Sequence, residues 1–217
     1  MNRILLAAMA LACGALGVAS AQPAALTARA TYGFLTHAAF FSVEVKPPNL
    51  VDPQVFVADP TAAAGIGPQG IEHVAGYRPA LGVDDPATPI ATAEGKALGF
   101  SLGSWFRARG TVVLTPSGDD TTATLKFAGL VRGGRYSMFE NHFAPTGVTF
   151  TPLDGTGKTN SFTAGRDGSA NVTVAIPGRV THAEGLLLVY HSDGSDHGLE
   201  RGRIGVVAHH QLIVRVP

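Results

Sequence analysis

Residues 110–130 read GTVVLTPSGDDTTATLKFAGL, and this stretch decides the fold class. Gly110 to Thr115 is a run of β-branched and apolar residues that ends at Pro116-Ser117-Gly118-Asp119-Asp120. Proline fixes φ, glycine reaches positive φ, and aspartate bonds its own backbone, so this cluster predicts a turn. Thr121 to Leu130 then alternates, with Leu125 and Phe127 on one side and Thr124 and Lys126 on the other. A period of two is the signature of a strand with one buried face. The two runs read as strands separated by a turn.

The same grammar continues toward the C terminus. Arg132-Gly133-Gly134 predicts a tight turn, and Tyr136 to Phe143 the next strand. Pro145-Thr146-Gly147 leads into Val148-Thr149-Phe150, and Leu153 to Gly157 and Arg166 to Ser169 are further turns. Ala170 to Ile176, Leu186 to His191 and Ile204 to Val216 complete the set. In the last run Val206, Ala208, His210, Leu212, Val214 and Val216 share one face if no bulge intervenes. Short strands at regular spacing, without helical periodicity over three turns, predict an all-β chain folded as an antiparallel β-sandwich, with a barrel as the alternative.

Upstream the pattern is looser. Ala39 to Val45 alternates as a strand would, with Phe41, Val43 and Val45 on one face, and Pro47-Pro48 stops it. Val55 to Ala58 is another short strand. Residues 59–99 are rich in Gly, Pro and Ala, and predict a loop-rich insertion or crossover inside one domain, or a set of very short elements. Leu102 to Arg107 predicts a single helical turn or a bend packed by Trp105, the one tryptophan.

Residues 1–21 have the form of a removable signal peptide. Arg3 supplies the positive end, Ile4 to Ala19 the apolar run, and Ala19-Ser20-Ala21 the small-x-small cleavage site before Gln22. The run is short for a bilayer span. Cys13 sits one position away from the spacing of a lipoprotein signal. Cleavage after residue 21 leaves one domain, 22–217, with no cysteine, and so with no disulfide, thiolate nucleophile or cysteine-ligated zinc. This places the mature protein in the periplasm or outside the cell. Loss of Arg3 leaves 15 basic residues against 16 acidic ones, with no basic block. That excludes the concentrated positive surface of a nucleic-acid binder. No later segment is apolar enough to be a transmembrane helix.

The segments Leu98-Gly99-Phe100 with Trp105, Gly133-Gly134-Arg135-Tyr136-Ser137, Phe150 to Gly157, Val189 to Gly194 and Ala208 to Leu212 resemble a family of uncharacterised secreted bacterial proteins. The resemblance spans residues 85–217. It implies export and a β-sandwich, and it brings no catalytic role and no active site.

Eight histidines are present, five of them after residue 180, accompanied by Glu184, Asp193, Asp196 and Glu200. Imidazoles and carboxylates in an oxidising compartment suit zinc or copper(II). His191 ends an apolar strand, and the polar loop Ser192 to Gly198 can fold His197 back toward it. If the last strand pairs alongside, His209 approaches from the neighbour. His191, His197 and His209 are therefore the candidate metal ligands. Asp193 is a further ligand or an imidazole-orienting acceptor, and Glu184 and Glu200 are outer partners. Glu140 and His142, on one strand face, form a lesser ligand or acid–base pair, and Asp196 is another lesser ligand. The plain alternative is that these residues form hydrogen-bonded networks and turns. His210 shares an apolar face and reads as packed.

No H-E-x-x-H element occurs. Ser101, Ser104, Ser192 and Ser195 stand in a chain rich in His and Asp, but a triad is defined by spatial geometry. The leading function from sequence is a non-catalytic exported binding or structural protein, acting on an envelope partner or small ligand. The alternative is a histidine-ligated copper or zinc protein or metal-dependent enzyme. Carbohydrate recognition ranks below both, because alternation assigns most aromatics to packing.

Overall fold

The computed structural model describes residues 23–145 and 147–217. The expected signal segment, with Cys13, the cleavage site and Gln22, lies outside them. In chain order the strands are β1 (Ala30–Gly33), β2 (Leu35–Thr36), β3 (Val51–Ala58), β4 (Gly65–Ile66), β5 (Glu72–His73), β6 (Tyr77–Leu81), β7 (Pro89–Ala91) and β8 (Ala97–Ser101). They continue as β9 (Arg109–Ser117), β10 (Asp120–Ala128), β11 (Arg135–Ala144), β12 (Gly147–Pro152), β13 (Ser161–Thr163), β14 (Ala170–Ile176), β15 (Glu184–His191) and β16 (Ala208–Arg215). Two α-helices, α1 (His37–Val45) and α2 (Leu102–Phe106), and a 3-10 turn (Pro68–Gly70) interrupt them.

The strands form antiparallel sheets that do not close into a barrel, so the chain is an all-β sandwich. One sheet has the order β1-β9-β10-β14. The facing sheet runs β12-β11-β15-β16-β2, with β13 also on β11. The two strands on either side of the Pro116–Asp120 turn, β9 and β10, pair as a hairpin, with Leu125 opposite Val112 and Ala123 opposite Leu114. These residues are buried against Tyr136, Met138, Leu186, Leu188, Leu212 and Val214 of the facing sheet. Burial of apolar surface at roughly 25 cal/mol per Å² makes this interface the main source of stability.

The larger sheet is also covered on its outer face. Phe139, Leu187, Val189, Ala208 and Ile213 pack there beneath Phe40, Phe143 and Phe150. Strands β11, β15 and β16 are therefore buried on both sides, which explains their near-continuous apolar runs.

Two expectations need correction. Ala39 to Val45 is helical, within α1. Thr36 caps it, its Oγ1 accepting the Ala39 N–H at 3.2 Å, and Lys46 ends it at φ 53° before the two prolines. The supposed strand face does not exist: Val43 and Val45 are 68% and 58% exposed, while Phe40 turns inward. The residue period of two fits a strand, yet the N-cap and the covering of the outer face decide for a helix.

The last strand begins at Ala208, and a bulge does intervene. Leu188 pairs with Leu212 but Val189 pairs with His210, which leaves Gln211 extra. A bulge reverses the alternation. Ala208 packs with Ile213 on the outer face, while Leu212 and Val214 join the sandwich interior. His210 accordingly shares no face with Leu212.

Residues 59–99 are the set of very short elements, and they are ordered. With β3 they build a third sheet, β6-β3-β7-β8, and the small β4–β5 ribbon. Pro53 is tolerated in β3 because the register with β6 shifts between Asp52 and Phe56. Trp105 anchors this sheet to the sandwich. It is buried, and its Nε1–H donates to Asp52 Oδ2 at 2.7 Å. Among the described residues no helix is long and apolar enough to cross a membrane.

Candidate functional site

Strand β16 does pair with β15, as the metal-ligand expectation required. His197 also folds back onto His191. Their rings stack with centroids 4.6 Å apart, and Asp193 Oδ2 lies 2.9 Å from His197 Nε2. Asp193 Oδ1 accepts the Ser195 N–H at 3.1 Å, which fixes the carboxylate beside the His197 ring. His191 Nε2 lies 2.8 Å from Ser137 Oγ, while its Nδ1 is buried without a partner. Burial first, and then neighbouring His197, lowers the His191 pKa to about 4.

His209 does not join them. It pairs with Tyr190, the residue before His191, and successive strand residues point to opposite faces. His209 enters the sandwich interior, edge-on to Trp105. Its Nδ1 faces the Gln54 carbonyl at 2.8 Å and its Nε2 the Ser192 hydroxyl at 3.3 Å. Asp196 is ion-paired with Arg135. Glu200 is exposed at the rim of a shallow basin. Among the described residues no group of three or more His, Cys, Asp or Glu side chains converges as a metal ion requires.

Glu184 belongs elsewhere, with the Glu140–His142 pair. His142 sits opposite Glu184 on β15, and its Nδ1 is 3.5 Å from Glu184 Oε1. Its Nε2 is 2.9 Å from Thr151 Oγ1 and 3.9 Å from Glu140 Oε2. Burial, then the Glu184 carboxylate, pushes the Glu140 pKa up to about 8.

A third constellation went unread in the sequence. It lies on the outer face of the larger sheet, beneath α1. Gln54 of β3 reaches across to β16, where its Oε1 accepts the His210 N–H at 2.8 Å and its Nε2 lies 3.0 Å from His210 Nδ1. The same Nε2 donates to Gln69 Oε1 at 2.7 Å. Gln69 Nε2 is 3.5 Å from His37 Nε2. Arg201 NH1 lies 3.0 Å from His210 Nε2, and its guanidinium sits 3.3 Å over the Phe150 ring. The His37 and His210 rings meet edge to face at 4.9 Å.

These groups surround a cavity of about 250 Å³, lined among others by His37, Phe40, Asn141, Phe150, Arg201 and Ile213. It adjoins a wider basin of about 600 Å³ that shares Phe150 and Arg201 as wall. Two buried polar atoms here have no partner, His37 Nδ1 and Asn141 Oδ1. Unpartnered buried polar groups are rare and costly, so each asks for an explanation. Gln69 adds a second anomaly: its φ is 59°, one of two positive values at non-glycine residues among the described ones. Such backbone strain concentrates at functional sites. Burial lowers His37 to about 3, with the Arg201 charge adding to it, and holds His210 well below the ordinary value. Burial also lowers Arg201 to about 10. No carboxylate among the described residues pairs with Arg201.

The expectation that no G-x-S-x-G nucleophile elbow occurs needs correction at the level of the motif. Gly99-Phe100-Ser101-Leu102-Gly103 spells G-x-S-x-G at a strand-to-helix junction, the context of a nucleophile elbow. The geometry removes that role. Ser101 has ordinary extended dihedrals, φ −94° and ψ 161°, and its Oγ caps α2 through the Ser104 N–H. The Asp154 loop is likewise structural. Burial works against its charge, but N–H groups of Thr159 and Gly157 and the Thr156 and Thr159 hydroxyls hold its pKa well below the usual range. A Cβ on Gly157 would lie 2.5 Å from the Gly198 carbonyl carbon, so this loop fixes where the residue 198 turn passes.

No family model matches the chain, and no curated protein matches it. Among solved structures it is similar to the Cu/Zn superoxide dismutase from Brucella abortus, at 14% identity and a TM-score of 0.34. The likeness covers 77% of this chain and 97% of that one, and at that TM-score it bears on neither ligand nor chemistry.

Proposed function

We propose that the chain is an exported, non-catalytic binding protein that holds a small ligand in the cavity between α1 and the outer face of the larger sheet. One observation carries the reading: His37 Nδ1 and Asn141 Oδ1 are buried without partners in residues that line the same cavity. A ligand that bonds to them removes a penalty of about 1–3 kcal/mol for each group. The apolar part of the lining and the few convergent polar groups are the usual make-up of a small-molecule site. Export rests on the Arg3 to Ala21 pattern.

The test is a ligand-detected NMR screen of small fragments against the wild type and Val148→Trp. Val148 is exposed on β12 and lines the cavity, so an indole there fills it without disturbing the core. Fragments that bind the wild type and lose binding to Val148→Trp support the reading. An empty screen, or hits indifferent to the substitution, sinks it.

A histidine-held copper or zinc is the second reading, favoured by the buried and unpartnered His191 Nδ1 beside His197 and Asp193. It would rest on those three residues, without His209.

A further inference from the structure

The hydrogen-bond arithmetic around His210 does not close. The His210 N–H fixes the Gln54 amide, because Oε1 must accept it at 2.8 Å. Gln54 Nε2 therefore donates, to Gln69 Oε1 on one side and toward His210 Nδ1, 3.0 Å away, on the other. Arg201 NH1 can only donate, and it faces the other ring nitrogen, Nε2, at 3.0 Å. A neutral imidazole offers one acceptor nitrogen and a protonated one offers none. Two donors meet a ring with at most one lone pair.

His37 repeats the imbalance. Gln69 Oε1 is occupied as an acceptor, so its Nε2 is the donor that approaches His37 Nε2. The His37 proton then sits on Nδ1, and that buried N–H has no acceptor. The cavity thus holds a surplus of N–H donors, a half-buried guanidinium with no carboxylate among the described residues, and an Asn141 amide that can turn either end to a ligand. A metal cation is the wrong complement, since it would face Arg201 and rings already engaged by donors.

We infer that the ligand is a small organic acid, with its carboxylate received by Arg201 and the donor surplus beside His210 and His37. This rests on the binding reading above and adds the ligand class. An oxyanion only accepts hydrogen bonds, so it satisfies every surplus donor it reaches, and its bonds to a guanidinium are the strong, charge-assisted kind. The rest of the lining, Phe40, Phe143, Val148, Phe150 and Ile213, is apolar and suits a hydrocarbon or aromatic body. A cavity of about 250 Å³ sets the scale at a benzoate or a short-chain fatty acid.

The experiment is calorimetric titration of the full mature protein with matched pairs: benzoate and benzamide, phenylacetate and phenylacetamide, hexanoate and hexanamide. At least one acid is expected to bind roughly tenfold or more tightly than its amide, a difference of about 1.4 kcal/mol. Arg201→Met should erase that preference while thermal unfolding shows the fold intact. Val148→Trp should abolish binding of both members, and it serves as the blocking control if Arg201→Met fails to fold. If amides bind as well as acids, or the preference survives Arg201→Met, the acid assignment is overturned while the binding reading stands. If no acid in the three pairs binds better than its amide although the fragment screen yields cavity ligands, the assignment is likewise overturned. An empty fragment screen refutes the binding reading itself.

Discussion

Gln54 grips His210 at two points, accepting from its backbone N–H at 2.8 Å and placing its own amide nitrogen 3.0 Å from the ring. The two residues are 156 positions apart, and this contact ties the third sheet to the larger one. Both are buried, so the amide has no water to replace it. Gln54→Ala leaves the buried His210 N–H without a partner, while the exposed Gln69 side chain can turn its Oε1 to water. The expected loss is about 1–3 kcal/mol, read as a lower urea midpoint at unchanged slope. A loss below about 0.5 kcal/mol would show that the contact is not formed in solution.

Trp105 of α2 and Asp52 of β3 form a second buried side-chain contact that ties the third sheet to the sandwich. Burial raises the Asp52 pKa to about 6, opposed by N–H bonds from Gln54, Trp105 and Val55. Trp105→Phe removes one of those bonds and part of a packed ring. The expected cost is about 3 kcal/mol, from the space left and from the weakened support of a buried carboxylate. The Asp52 carboxyl should also titrate higher, which 13C NMR of the side chain would detect.

Stability should fall on mild acidification. Burial lowers His37 to about 3, and His191 and His209 to about 4, with His210 well below its ordinary value. Below pH ~6.5 the unfolded chain takes up protons that these folded rings refuse. Their contribution is present above that pH and is lost as pH falls toward 4. Two carboxyls act with the opposite sign: Asp52, raised to about 6, and Glu140, raised to about 8, favour the folded state at low pH. Between pH 6 and 4.5 four histidines outnumber two carboxyls. Each unmatched proton is worth about 1.4 kcal/mol per pH unit. Thermal melts should therefore show a lower midpoint at pH 5 than at pH 7, and His209→Gln should flatten the dependence. A midpoint that rises at pH 5 would contradict the buried, neutral rings.

Metal uptake separates the two functional readings. Elemental analysis of tag-free protein should find zinc and copper well below one ion per chain. Any residual uptake should depend on His191 and His197 and not on His209, which faces the sandwich interior. Stoichiometric metal lost in His209→Ala would restore the three-histidine set.

The fold was legible where local pattern and environment agree. The hairpin β9–β10 alternates because one face is buried and the other is not, and its turn residues mark its end. Legibility failed where one extra residue reversed a pattern: Gln211 is the bulge that turns His210 away from Leu212, and no local feature announces it. It failed again at α1, whose two phenylalanines fit a strand as well as a helix until the outer face of the larger sheet is known to need a cover. Part of the candidate site was readable, because His197 follows His191 on a short polar loop. The cavity was not, because its polar groups come from α1, β3, the Gln69 turn, β11, the segment before β16 and β16 itself. His37 and Gln54 gain meaning only from distances across the fold.

The most direct test of the central claim is a 1H–15N and methyl NMR map of the mature protein as the tightest-binding carboxylate is added. The account expects shifts concentrated at His37, Asn141, Arg201, His210 and the Ile213 methyls, saturating at one ligand per chain. Shifts centred on His191 and His197, or scattered without saturation, would contradict it.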